Sequence, residues 1–369
     1  MADHDISDAL REQVADAVAQ GTSLCISGGN SKAFYGHRTD RVNHHPLRVE
    51  EHRGITNYQP SELTLTARAG TPLADIRAEL DAAGQMLPFD PPALDGVNGQ
   101  VATLGGTLAC GFSGPARPFA GSCRDYVLGT RIINGRAQSL RFGGEVMKNV
   151  AGYDLSRLMV GALGTFGVIL DASLKVLPKP AVTRSFSAVC SPEEALDFLH
   201  EKRMAYLPLT GASFHDGQLH YRLAGAISAV SDCAEQFHNA LGGTENDGVH
   251  WDALREHTLP FFDDSRPLWR LAVPPGTGVF GLADTATSES DDMLIDWGGQ
   301  QRWLLSEAEP AAIQQRAREL GGHATRFRRG DESVFQDIQP AERQLHERLK
   351  AAFDPKGLFN PGRLATGLS

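Results

Sequence analysis

The chain has 369 residues, 41% hydrophobic and 22% charged, with a formal net charge of −10. This length allows two domains, each with its own core. The acidic balance, with no long basic run, argues against nucleic-acid and anionic-membrane surfaces, which reward clustered Lys and Arg. The N-terminal MADHDISDALREQ is polar and acidic, so no signal peptide is expected. The longest uncharged stretch, 96–116, holds six glycines and a proline, a poor fit to a bilayer span. Cys25, Cys110, Cys123, Cys190 and Cys233 are scattered and contain no C-x-x-C pair. That predicts reduced thiols in the cytosol and no iron–sulfur or zinc site in this chain.

Ile6, Leu10, Val14 and Val18 recur at four-residue spacing and predict a helix that stops at Gly21. Ser23–Ile26 reads as a strand running into Ser27-Gly28-Gly29-Asn30-Ser31-Lys32. A second strand carries Leu63, Leu65 and Ala67. Thr71 is read as the N-cap and Pro72 as the first residue of a helix through Leu73, Ile76 and Leu80, ending near Gly84. Sixteen glycines lie between Gly84 and Gly167, well above the ordinary usage of about 7%. Glycine is needed where φ is positive or where backbone approaches a ligand closely, so this density predicts a large ligand laid along the backbone. Thr165–Leu177 alternates as a long strand, and Pro178-Lys179-Pro180 marks a domain boundary.

Beyond it, Ser191-Pro192-Glu193-Glu194 is a capping box that opens a helix to about Arg203. Phe214–Leu223 predicts a hairpin turning at Asp216-Gly217. Helices follow at about Ala229–Leu241 and Trp251–His257, with strand-like segments at Leu268–Val273, Met293–Ile295 and Arg302–Leu305. A last clear helix runs from Ala311 to Leu320. The fold class is α+β, with a smaller α+β second domain built on an antiparallel sheet.

Several segments could carry chemistry. Ser27-Gly28-Gly29-Asn30-Ser31 follows a strand and offers consecutive N–H groups, either as a nest for pyrophosphate or as an ordinary glycine turn. There is no G-x-x-x-x-G-K-[ST] phosphate loop. Gly161-Ala162-Leu163-Gly164-Thr165-Phe166-Gly167 has a dinucleotide-fingerprint look. It leaves a short helix capped by Asp154 and enters a strand, the reverse of a Rossmann site, which is therefore rejected. Further candidates are Ala102-Thr103-Leu104-Gly105-Gly106 onward to Gly114, the Gly121–Gly129 segment with Arg124 and Asp125, and the block from Phe142-Gly143-Gly144 through Lys148–Asp154 to Ile169.

The order of these segments resembles the FAD-binding domain of the vanillyl-alcohol oxidase and p-cresol methylhydroxylase (PCMH-type) superfamily. More narrowly, GGNSKAFYG, HRGITNYQPSELT, FGGEVMKNVAGYDLSRLMVGALG, LIDWGGQQRW, GGHATRF and FNPGRL resemble the FAD-binding subunits of glycolate oxidase over essentially the whole chain. The resemblance implies a two-part FAD-binding domain at 1–180, a cap domain at 181–350, and a tail at 351–369 returning to the FAD domain. It implies that Gly28, Gly29, Asn30, Ser31 and Lys32 contact the pyrophosphate. It also implies that Thr103, Gly105, Gly106 and Gly114 lie along the flavin and its phosphates. Gly164, Gly167, Val168 and Ile169 would meet the adenosine half, and Asn360 sits in the returning tail. Relatives with covalent flavin often carry a linking His near the first loop. Here that loop offers Ser31, Lys32, Ala33 and Phe34, with His37 further on, so noncovalent FAD is expected.

Lys32 is read as a phosphate partner, and Arg124 either as one or as a structural pair with Asp125. Relatives that act alone often carry a His-rich metal motif. His215 and His220 depart from its spacing and flank a hairpin turn, which favours surface histidines over metal ligands. His323 and Arg326 are candidate base and carboxylate anchor, with a helix stop followed by a polar strand as the plain alternative. The implied activity is oxidation of glycolate, a 2-hydroxy acid, to glyoxylate within a cytoplasmic complex that touches the membrane, if at all, only through its assembly. The implied partners are a larger FAD subunit and an iron–sulfur subunit. The rival readings are a self-sufficient FAD-linked 2-hydroxy-acid oxidase and a flavin-binding assembly subunit without turnover of its own.

Overall fold

A computed structural model describes residues 3–37, 44–95, 99–145, 154–203, 207–282, 292–328 and 335–365. The Lys148–Tyr153 part of the glycine block lies outside them. The chain forms two units: unit 1 comprises 1–113, 122–179 and 337–369, and unit 2 comprises 114–121 and 180–336. The change of unit at 179/180 falls within the Pro178-Lys179-Pro180 sequence, and the return to unit 1 comes at Asp337.

Unit 1 opens with α1 (Ser7–Gln20), whose Leu10, Val14 and Ala17 are buried and whose C-cap Gly21 is left-handed at φ 69°. The strands β1 (Leu24–Ser27) and β2 (His45–Arg48) pair in parallel. β3 (Ile55–Gln59) and the wholly buried β4 (Thr64–Arg68) follow. Thr71 does not cap the next helix. Its hydroxyl donates to the Gly54 carbonyl and accepts from the Gly54 amide, and α2 (Leu73–Ala82) starts uncapped after Pro72. Next come β5 (Gln85–Met86) and α3 (Leu104–Cys110). The Ala102–Gly106 candidate segment is thus a helix start, where Thr103 caps by accepting from the Gly106 amide. The chain visits unit 2 for α4 (Arg117–Ala120) and returns for β6 (Val127–Ile133), β7 (Ser139–Gly143), α5 (Leu155–Leu158), β8 (Val168–Lys175) and β9 (Leu177–Pro178). The main sheet runs β3-β4-β8-β6-β7, entirely antiparallel, with β5-β9 as a two-stranded ribbon.

Unit 2 holds β10 (Val182–Val189), α6 (Pro192–Arg203), β11 (Leu209–His215), β12 (Gln218–Gly225), α7 (Ile227–Leu241), β13 (Thr244–Asn246) and α8 (Val249–Glu256). These are followed by β14 (Leu268–Ala272), β15 (Asp292–Asp296), β16 (Gln301–Leu305), α9 (Pro310–Glu319) and β17 (His323–Arg328). The strands form one eight-stranded antiparallel sheet, ordered β13-β10-β12-β11-β15-β16-β14-β17. The hairpin turns at Asp216 and Gly217, both with positive φ, as a two-residue turn between twisted strands requires. The Ser191–Glu194 capping box is reciprocal.

One helix had no apolar stripe to announce it. α10 (Pro340–Phe353) buries only Lys350 and Phe353, and its signal is Pro340 at the first turn within a Gln339/Glu342 capping box. It ends in a buried ion pair. Lys350 Nζ donates to Asp354 Oδ2 at 2.7 Å, to Thr165 O at 2.9 Å and to Phe359 O at 3.0 Å. The Asp354 carboxylate also accepts from the Leu358 and Phe359 amides. Burial lowers the Lys350 pKa despite the opposing pull of Asp354. Removing one partner of such a pair strands the other charge. Asp354→Ala should cost unit 1 about 3–5 kcal/mol in chemical denaturation. A loss below about 1 kcal/mol, typical of an exposed pair, would contradict this.

Candidate flavin site

In unit 1 the tail following Asp354 runs beside β1. Leu24 N donates to Leu358 O at 2.7 Å and Asn360 N donates to Leu24 O at 3.0 Å. Asn360 then acts as a staple. Its Oδ1 accepts from Ile26 N and its Nδ2 donates to Leu163 O, both at 2.8 Å. This holds the end of β1 against the Leu163–Gly164 turn, where Gly164 takes a left-handed φ of 72°.

A cavity with about 720 Å³ of space, open water included, lies between these segments. Gly28, Gly29, Asn30, Ser31, Lys32, Thr103, Gly105, Gly106, Gly164, Gly167, Ile169 and Asn360 all line it, joined by Val101, Cys110 and Arg363. Val168 is the buried start of β8 and does not line it. Gly114 belongs to unit 2.

The lining glycines allow close approach. A Cβ on Gly29 would sit 1.9 Å from Val101 O, one on Gly28 would sit 2.4 Å from Thr103 Oγ1, and one on Gly105 would sit 2.8 Å from the Ala69 Cβ. Any side chain there would push the cavity walls apart or fill the groove. The α3 amides are already committed: Leu104 N donates to Thr71 O, Gly105 N to Ala69 O, and Gly106 N to Thr103 Oγ1. That leaves the consecutive Gly28–Asn30 amides as the backbone suited to a pyrophosphate. Lys32 is buried, and its ammonium donates to Ala93 O at 2.8 Å and to Ser31 Oγ at 3.2 Å, which fixes the loop. Arg124 donates to Val160 O, while Asp125 accepts from Ser122, so these two side chains serve separate contacts. A long backbone-lined groove of this kind fits an elongated dinucleotide.

The other candidates sit in unit 2. His220 stacks on His250 at 3.8 Å between centroids, and His215 Nε2 lies 3.2 Å from Asp292 Oδ1. Burial first, then the charge of His215, lowers the His220 pKa. His323 and Arg326 do not form a pair. Continuous register along β14 places His323 opposite Ala272 and Arg326 opposite Trp269, and residues three apart on a strand face opposite sides. His323 is exposed at the strand start, whereas Arg326 is buried.

The PCMH-type fold and this groove define an FAD-binding domain of the kind found in FAD-linked oxidoreductases. Residues 6–143 match the FAD binding domain family, and 327–364 match the C-terminal domain of FAD linked oxidases. The chain is 48% identical over 360 residues to the glycolate oxidase subunit GlcE of Escherichia coli (strain K12), covering 98% of this chain and 97% of that protein. It is 32% identical over 135 residues to the glycolate oxidase subunit GlcD of Bacillus subtilis (strain 168), covering 37% of this chain and 28% of that one. An alkyldihydroxyacetonephosphate synthase structure superposes with a TM-score of 0.70 at 15% identity, over 97% of this chain and 76% of its own, a likeness of fold. The chain belongs to the GlcE family of glycolate oxidase subunits, and its cofactor is FAD.

Gly29→Ala should lower FAD retention tenfold or more, about 1.4 kcal/mol, with the far-ultraviolet circular dichroism unchanged. Gly21→Ala has open space around its Cβ, so it should keep its flavin and lose only about 1–2 kcal/mol of stability. Stoichiometric flavin in Gly29→Ala would refute the close-approach argument.

Proposed function

We propose that this chain is the flavin-carrying subunit of a cytoplasmic complex that oxidises glycolate to glyoxylate. Its partners in this reading are a larger FAD-binding subunit and an iron–sulfur subunit. The observation that carries it is near-full-length identity to a glycolate oxidase subunit GlcE. The partial likeness to a GlcD subunit adds a second flavin-type chain as the partner's natural form. Among the described residues, no helix is long and apolar enough to cross a membrane, in keeping with attachment to other subunits rather than insertion.

In this reading the Gly28–Asn30 amides hold the pyrophosphate, and Lys32 and Asn360 hold the walls in place. Thr103 and Gly106 lie along the flavin side, and Gly164, Gly167 and Ile169 meet the adenosine half. FAD, when bound, supplies the two-electron acceptor. The cysteines of this chain lack cluster spacing, so electrons pass to a partner. His323 is the proton-accepting candidate, and its carboxylate-anchoring companion is a residue other than Arg326. The flavin is held without a covalent bond.

Two measurements test this. Acid denaturation should release all flavin to the supernatant, and flavin remaining on the polypeptide would show a covalent link. Glycolate added anaerobically should bleach the flavin of the assembled complex. Bleaching of the isolated chain places turnover here, and bleaching only with the larger subunit present places it in the partner. A complex whose flavins ignore glycolate would refute the reading.

A further inference from the structure

The unit 2 sheet lines up two rows of residues across four strands. One row aligns Asp296, Gln301, Ala272 and His323, and the next aligns Leu294, Trp303, Arg270 and Thr325. Arg270, opposite Thr325, is therefore the diagonal neighbour of both His323 and Phe327 on the same face, about 7–8 Å from each along the sheet, and its guanidinium lies over the Phe327 ring, 5.7 Å from the centroid.

A second guanidinium comes from α4. Arg117 lies over the Trp297 ring, 4.3 Å from its centroid, and Trp297 directly follows Asp296 in the first row. Trp297 has a positive φ of 53°, a conformation that bulky residues avoid unless the surroundings impose it. Asp296 caps this turn: Oδ1 accepts from the Trp297 amide at 2.6 Å and Oδ2 from Gln301 Nε2 at 3.1 Å. The row's carboxylate is thus engaged in building the platform under Arg117. Among the described residues, the buried indole N–H groups of Trp297 and Trp303 have no hydrogen-bond acceptor. Partial burial, followed by the charges of Arg270 and Arg117, lowers the His323 pKa.

We propose that Arg270, Arg117 and His323 form a binding site for small carboxylate anions at this end of the sheet. It rests on the 2-hydroxy-acid reading above and supplies the anchor that Arg326 cannot. A guanidinium matches a carboxylate with two parallel N–H donors. Arg270 and Arg117 take the carboxylate, and the uncharged His323 ring beside them accepts the hydrogen of the 2-hydroxyl. The chemistry selects a short acid with a hydroxyl on the carbon next to the carboxylate.

The test uses the full chain loaded with FAD and acetate as an unreactive probe, followed by ligand-observed NMR titration, with sulfate as a competitor. Acetate should bind, and Arg270→Gln and Arg117→Gln should each weaken it about tenfold or more, the worth of a charge-assisted hydrogen bond. Arg117 is exposed, so its variant keeps the test valid even if Arg270→Gln disturbs the sheet. Glycolate should bind more tightly than acetate, and His323→Phe should abolish that difference while leaving acetate affinity within about twofold. Equal acetate binding by wild type and both arginine variants overturns the site, as does sulfate displacing acetate at equal concentration. If the acetate results hold but glycolate bleaches no flavin in the complex, the function reading fails and the anion site stands.

Discussion

The buried pair of Lys350 and Asp354 organises unit 1. The lysine holds two carbonyls, Thr165 and Phe359, and the aspartate holds two amides, Leu358 and Phe359. One ion pair thereby sets the path of the tail and fixes the turn that leads into β8. Asn360, the next residue along, reaches β1 and the Leu163–Gly164 turn only because that path is set. Gly135 fits the same arrangement, since a Cβ there would meet Asp354 Oδ1 at 2.5 Å. The groove walls come from segments far apart in sequence, and this pair is where they are made to agree.

The glycines of the groove have a double use. Their density first suggests room for a ligand. At Gly28, Gly29 and Gly105 the space that a side chain would take is filled by the protein itself, by Thr103, Val101 and Ala69. The bare backbone lets neighbouring segments close up, and the closed-up segments then present the groove. A cofactor cradle built this way has walls whose spacing is set before any ligand arrives.

Much of this was legible in the sequence. The four-residue stripe of α1, the Asp216-Gly217 turn and the Ser191 capping box are local signals that tertiary context leaves unchanged. α10 was not legible by pattern because its buried face is Lys350 and Phe353, a charge and one ring rather than an apolar stripe. The α3 start was not legible because two adjacent glycines oppose helix formation, and the Thr103 cap and packing on Ala69 outweigh that cost. Thr71 had the form of an N-cap, yet its hydroxyl was worth more on Gly54. For the candidate site, the residues singled out by the order of the motifs line the cavity, apart from Val168 and Gly114. The pairing of His323 with Arg326 failed on strand alternation, which becomes visible once β17 is known to be a strand. Arg270 and Arg117 carry no motif of their own, because only sheet register and the α4 excursion bring them together.

The contact between Ile26 and Asn360 has a consequence for biogenesis. These residues are 334 positions apart, so β1 is made early in translation and waits for its partner. While the chain is still being made, the first glycine loop lacks one wall, and unit 2 must be threaded out before that wall exists. Long-range closure of this kind is slow compared with local folding. The groove therefore closes only once Asn360 has been made and has docked on β1.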